Sequence, residues 1–445
     1  MKIGTEQLEA FMLERFLSDN ITSTGPHLLF AGQDTSSLAK QYGTPLYLMD
    51  EERIRENCRT YVRAIRSGFR RGTALYAAKA ACFTQILRII KDEEMSLDVV
   101  SAGEIHTALC AGFPMEHVWF HSSNKTDADI RYAISNGVGH FIVDSLEELE
   151  AIDRIAGERG VVQPVLLRLT PGIDPHTFAA VATGTVDSKF GIPLVGGQAE
   201  AASLSALSKP NIRLDGYHCH VGSQVFDSDV FFQCADVMLD FISVFHSKTG
   251  YLPDVLNLGG GYGVAYRLSD PAIDIEENIL SVSRYVKQAC ARRGLPVPEI
   301  LLEPGRSIVA DAGMTLYTVG MVKRIPGLIN YVSIDGGMAD NIRYALYGAP
   351  YTVLPASRMD EPRELVATVV GRCCESDDVI QPSVPLPESI SRGDLIAVCT
   401  TGAYNYSMAS NYNRLPRPPI VMLRSGSSYI AVKRETFEDL TRLDQ

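Results

Sequence analysis

Five stretches carry residues that could do chemistry. In Leu75-Tyr76-Ala77-Ala78-Lys79-Ala80 a short apolar strand ends on a lysine. Buried at a strand tip, an ammonium is costly, so its pKa falls and the amine becomes nucleophilic, as in a Schiff-base lysine. A surface lysine after a core strand is the plainer reading. Gly259-Gly260-Gly261-Tyr262-Gly263 follows another apolar run. Such glycines let backbone N–H groups approach an anion without Cβ obstruction, or simply make a tight turn; the spacing is not that of a dinucleotide fingerprint. Glu303-Pro304-Gly305-Arg306-Ser307 projects a carboxylate and a guanidinium from one turn. The arginine suits phosphate or carboxylate and the glutamate suits a protonated ring nitrogen, with a structural ion pair as the alternative. His218-Cys219-His220-Val221-Gly222-Ser223-Gln224 places two histidines at i and i+2, on one face if the strand continues. Without a further dense Cys/His cluster they make a poor metal site, so no metal is expected, and a ring-stacking histidine with a phosphate-binding serine fits better. Cys373-Cys374-Glu375-Ser376-Asp377-Asp378 offers a thiol beside acids, whose pKa could stay high enough for it to act as a proton donor, or a core cysteine. Two further clusters, Asp335-Gly336-Gly337-Met338 with Arg343-Tyr344-Ala345-Leu346-Tyr347, and residues 402–413 around Tyr404, read as site lining or interface.

The elements that must position these groups alternate. Apolar runs at residues 75–79, 97–101, 118–122, 141–144, 165–169, 214–221, 255–259 and 300–303 read as strands, with helical patterns at 102–111, 128–136 and 146–159 between them. Such alternation fits a (β/α)8 TIM-type barrel or a doubly wound sheet. Lys79, Asp98, Arg168, His218, His220, Gly259 and Glu303 cluster at the C-terminal ends of different strands. A barrel gathers those ends on one face, whereas an open sheet strings them along an edge, so the barrel is predicted. From about Ser307 short runs separated by turn residues indicate a mainly β domain. Upstream, residues 1–20 read as an amphipathic helix with Leu8, Phe11, Met12, Arg15 and Phe16 on one side; 38–42 as a helical turn closed by Gly43; 45–49 as a strand; and Asp50 as the cap of a helix reaching about Ile65. The expected division is an N-terminal segment, 1–44, packing on the β domain; a cofactor-binding barrel, 45–306; and a β domain, 307–445, with substrate and dimer contacts.

Bulk properties narrow the class. The 445 residues suit two domains, and 46% hydrophobic with 21% charged residues is a globular balance. A net charge of −12 argues against a nucleic-acid surface. No run of eighteen apolar residues offers a membrane span, and Met1 to Asn20 lack the pattern of a signal peptide. Nine cysteines, an odd number without framework spacing, point to thiols in a reducing cytoplasm.

Taken in chain order, these motifs resemble the fold-type III decarboxylases that use pyridoxal 5′-phosphate, and among them the diaminopimelate decarboxylases. The carriers are residues 76–79, Asp98-Val99-Val100-Ser101, Asp187-Ser188-Lys189-Phe190-Gly191, 218–224, 259–263, 303–307, 335–347, 374–378 and 402–413. The resemblance implies an alanine racemase-like fold and decarboxylation of meso-2,6-diaminopimelate to L-lysine and carbon dioxide, the last step of lysine biosynthesis. It implies that Lys79 holds the cofactor covalently, with Asp98 nearby. Glu303 would pair with the pyridine nitrogen and His220 would stack on the ring. Ser223, Gly259, Gly260, Gly261, Gly305, Arg306 and Tyr404 would hold the phosphate or its surroundings. Arg306, Arg343, Tyr347 and Tyr404 would face the substrate and Glu375 its distal ammonium. Cys374 would return a proton to Cα, and would do so in the active site of the partner subunit of a homodimer. Three departures, Ala81, His176-Thr177-Phe178-Ala179-Ala180 before Thr183-Gly184, and Asp377, bear on substrate preference more than on cofactor use. The alternatives are a decarboxylase of D-ornithine, D-lysine, L-ornithine, carboxynorspermidine or a siderophore or carrier-bound intermediate, and a non-catalytic regulator of the same fold. Lys79 and Cys374, both present, argue against the regulator.

Overall fold

Eight apolar runs become eight parallel strands: Gly72–Ala77, Ser96–Val99, Val118–Phe120, His140–Val143, Gln163–Thr170, Ile212–His218, Val255–Asn257 and Glu299–Leu302. Each pairs with the next, and Glu299–Leu302 pairs with Gly72–Ala77, so the sheet closes and the doubly wound alternative is excluded. The protein is described by a computed structural model over residues 16–173 and 188–445. Most of the expected helix over 1–20, Asp187 and the 176–184 loop lie outside the described residues.

The strands read as near-continuous apolar runs because both faces are buried: one by the interior, the other by the helices. Leu75, Trp119, Ile142, Leu166, Val255 and Leu301 form one interior cluster. The helices start where the sequence supplies a side-chain oxygen for an orphan N–H. Ser101, Thr126, Ser145 and Asp274 each accept from the N–H three residues on. Glycines in the left-handed region, Gly112 and Gly160, end two of them, where a Cβ would be strained. Helix Asp229–Thr249 is long and apolar enough to cross a membrane. Here it buries Phe231, Met238, Leu239 and Phe245, and its Asp236 and Asp240 pair with Arg293.

Arg55–Val264 with Ala272–Ile308 form one compact unit, and the remaining described residues form the other. In this second unit a nine-stranded sheet is built around Gly313–Lys323, which pairs with Asn330–Ile334, Leu395–Cys399 and Leu46–Asp50. The barrel was expected to begin at residue 45; instead Leu46–Asp50 runs antiparallel to Gly313–Lys323 and parallel to Ile420–Arg424. An apolar strand carries no mark of which sheet it joins, and this one completes a core of Leu46, Leu48, Met314, Leu316, Ala397, Val421 and Leu423. The small sheet Ile21–Thr24, His27–Phe30, Gln33–Asp34 and helix Thr35–Tyr42 add Leu28, Phe30 and Leu38 to the same core.

Candidate active site

The C-terminal strand ends of the barrel unit hold most of the expected polar groups. Glu303, one residue past Glu299–Leu302, is buried at their centre. Its Oε1 accepts a hydrogen bond from Asn257 Nδ2 at 2.7 Å and lies 2.8 Å from His121 Nε2. Its Oε2 lies 3.2 Å from His218 Nε2. Burial alone would push this carboxyl up, but the imidazoles of His121 and His218 outweigh it and hold Glu303 well below the usual range. Asp98, also buried, goes the other way: burial raises it, and His121 at 3.6 Å only partly compensates. Glu303 is thus the anion of the cluster. His218 is neutral, pushed down to about 4 by burial against the pull of Glu303.

Two expectations need correction. Strand Gly72–Ala77 ends before Lys79, which sits in the turn Ala78–Ala80 with its side chain exposed. The turn steps past the sheet and leaves the side chain at the surface, where burial was expected; its charge is felt at Asp98, Glu104 and His220. Strand Ile212–His218 likewise stops short, so alternation does not send His218 and His220 to one face. His218 meets Glu303, while His220 Nδ1 accepts the Gly260 N–H at 3.2 Å. Burial and the cations of Lys79 and Arg168 hold His220 well below its ordinary value, so it too is neutral.

The glycine run is a cradle that only glycine can form. A Cβ at Gly260 would lie 2.0 Å from the Glu303 carbonyl oxygen, and one at Gly261 would lie 2.3 Å from that of Gly222. Gly259 and Gly261 also have φ of +72° and +115°. Arg306, buried, donates to Ser223 Oγ at 3.0 Å, and Gly305 packs on Ala77. The Gly259 and Gly260 N–H groups are taken by Asn257 Oδ1 and His220 Nδ1, so it is the side-chain-free approach of the glycine turn, with a serine and an arginine beside a buried carboxylate, that fits a phosphorylated, nitrogen-containing ring. His121 and Asn257 were not singled out in the sequence: the first is a lone histidine after Val118–Phe120, the second the polar end of an apolar run.

The second unit carries Arg343, Tyr347, Cys374, Glu375 and Tyr404. Arg343 is 5% exposed, donates to Tyr351 Oη at 2.8 Å and has its guanidinium 5.0 Å from the Tyr266 ring centre. Tyr351 in turn donates to Asn405 Oδ1 at 3.1 Å. Tyr347, in the same short helix Arg343–Tyr347, is 39% exposed. Cys374 and Glu375 are exposed; the backbone of Cys374 is tied to Asn413 Oδ1 at 2.7 Å, and Glu375 accepts from Tyr412 at 3.4 Å. The adjacent Cys373 is the buried thiol, pushed up to about 11 by burial and by Asp378. Asp378 fastens the loop by accepting from Met338 N and Cys373 N, each at 2.6 Å. Tyr404 adopts a φ of +64°.

Comparison with known proteins adds five findings. The family model described as pyridoxal-dependent decarboxylase, pyridoxal binding domain, matches residues 51–310. A diaminopimelate decarboxylase of Bacillus subtilis is 43% identical over 418 residues, 94% of this chain and 95% of that protein. One from Staphylococcus aureus is 42% identical over 93% of this chain and 96% of its own. Among solved structures, diaminopimelate decarboxylase from M. jannaschii in complex with L-lysine aligns with a TM-score of 0.90 at 31% identity, covering 97% of this chain and 99% of that one. A lysine/ornithine decarboxylase from Vibrio vulnificus aligns with a TM-score of 0.73 at 25% identity, covering 87% and 97%.

Proposed function

The chain belongs to the pyridoxal-dependent decarboxylases, and from that premise we propose that it converts meso-diaminopimelate to L-lysine and carbon dioxide in the cytoplasm. The observation that carries this is 43% identity over an alignment of 418 residues, long enough to span both compact units and not the cofactor barrel alone. Pyridoxal phosphate, when bound, supplies an electron-poor ring that accepts the electron pair left by the departing carboxylate.

The chain's own residues do the rest. Lys79 is exposed next to the strand end Gly72–Ala77, and we assign it the covalent bond to the cofactor. Glu303 stays anionic beside a ring nitrogen and so favours its protonated form. The 259–261 backbone, Ser223, Gly305 and Arg306 bind phosphate, and we assign Tyr404 to the cofactor as well; neutral His220 packs on the ring without competing for protons. Arg343, a buried guanidinium framed by tyrosines, binds the distal carboxylate together with Tyr347, and Glu375 the distal ammonium. Cys374 delivers the proton to Cα, and as an exposed group it can serve a neighbouring subunit in a homodimer.

The test is incubation with pyridoxal phosphate and a panel of meso-diaminopimelate, L- and D-ornithine and D-lysine, measuring carbon dioxide and product. Lysine from diaminopimelate is the expected result. Turnover of an ornithine or of D-lysine with none of diaminopimelate would move the chain to another decarboxylase specificity.

A further inference from the structure

His121 lies in the barrel unit between two buried carboxylates. Its Nε2 is 2.8 Å from Glu303 Oε1 and 3.6 Å from Asp98 Oδ1, and its ring meets the His218 ring edge to face with centres 4.9 Å apart. The backbone that delivers it is built for that position. His121 N donates to Val99 O at 2.7 Å, which extends the barrel ladder by one residue. The next residue, Ser122, has a φ of +134°, a conformation costly for any residue with a Cβ. That strain is held by Lys125, whose ammonium is fully buried and spends its three donors on Ser122 O at 3.2 Å, Ile142 O at 2.7 Å and Glu148 Oε1 at 2.6 Å. A loop fixed this firmly, directly after a histidine aimed at a carboxylate, indicates that the direction of the imidazole matters.

We infer that His121 is a positioning residue for the reaction: clamped by the Lys125 loop between Asp98 and Glu303, it orients the Glu303 carboxylate that meets the cofactor's ring nitrogen. This rests on the cofactor role assigned to Glu303 above. The groups facing Glu303 are Asn257 from strand Val255–Asn257, His218 from Ile212–His218, and His121. Asp98 and Arg168 add their charges to the cluster from neighbouring strands. Of the three direct partners His121 alone is shared with a second carboxyl group, so its loss leaves both side chains room to turn.

The experiment uses the full chain freed of cofactor and titrated with pyridoxal phosphate, following fluorescence for affinity and the absorbance of the bound cofactor as pH is varied. His121→Leu removes the ring nitrogen that lies against both carboxyl groups and should weaken cofactor binding about 10- to 100-fold, the scale of one polar contact to a charged group. The pH dependence of the bound cofactor's absorbance should move with it. His121→Gln keeps an N–H donor and should recover most of the affinity. If His121→Leu lowers only the melting temperature and binds pyridoxal phosphate as wild type does, the inference is overturned while the functional reading stands. Wild type that takes up no pyridoxal phosphate overturns the functional reading, and this inference with it.

Discussion

The two units prepare their polar groups in opposite ways. In the barrel unit Glu303, Asn257, His121, His218 and the glycine run bind one another at 2.7–3.2 Å and are mostly buried. In the second unit Cys374, Glu375 and Tyr347 are exposed, while Arg343 is enclosed. A group that binds a permanent cofactor can be fixed in advance, since its partner never leaves. Groups that handle a passing substrate must stay accessible. The barrel cluster should therefore govern cofactor retention and the second unit turnover.

The sharpest way to break this division is at Lys79. Lys79→Ala should lose the borohydride-reducible cofactor adduct and nearly all activity, checked by mass spectrometry of the reduced protein; an adduct on another lysine would overturn the assignment. Mixing Lys79→Ala with Cys374→Ala then asks whether the units cooperate across chains. With random subunit exchange half the dimers hold one intact site, so recovery should approach about one quarter of wild-type activity. No recovery, with exchange confirmed by mass, would mean that Cys374 serves its own chain or is not the acid.

On stability, Lys125→Met should cost about 3–5 kcal/mol, because it leaves Glu148 buried without its cation. Denaturant melts would read this, and a change below about 1 kcal/mol would show that the pair is not holding the loop. Arg343→Ala should leave cofactor bound while lowering kcat/KM for diaminopimelate by about 30- to 1,000-fold. Cofactor loss instead of slower turnover would contradict the division between the units.

The smallest effect is at Asp340, in the second unit. Burial pushes its carboxyl up to about 7, despite hydrogen bonds from Tyr317 and Gly337 N. A raised folded pKa means that the native state binds the extra proton, so the contribution to stability is full below about pH 4 and lost as pH rises through 7. Asp340→Asn should reduce the fall in melting temperature between pH 5 and 8 by about 2–4 °C. An unchanged fall would mean that Asp340 does not titrate in that range.

The barrel was legible because each parallel strand is an apolar run with a polar residue at its end or within two residues after it. Its ends were less so: Lys79 and His220 lie past strands that stop early, a matter of ladder geometry, not of residue type. His121 and Asn257 were missed because a single polar residue after an apolar run looks the same whether it faces solvent or a buried carboxylate. In the second unit Val379–Leu386 went unseen because Pro382 and Pro385 argue against a strand; it is tolerated because it closes one edge of the sheet. Tyr266 and Tyr351, which frame Arg343, are far apart in sequence, and nothing local marks them as partners.

The placement of Leu46–Asp50 reaches beyond the finished structure to its synthesis. Its partners, Gly313–Lys323 and Ile420–Arg424, leave the ribosome roughly 13–75 s later at about 5–20 residues per second. The whole barrel, ending at Ile308, emerges in the interval and can close first. The early strand must wait as an unpaired apolar edge until the last third of the chain appears. We expect protease to cut ribosome-bound chains truncated near residue 330 within residues 46–50 while sparing the barrel; equal protection of both would mean that the strand finds cover sooner. Chaperone dependence in this protein should accordingly trace to its beginning, not to its largest fold.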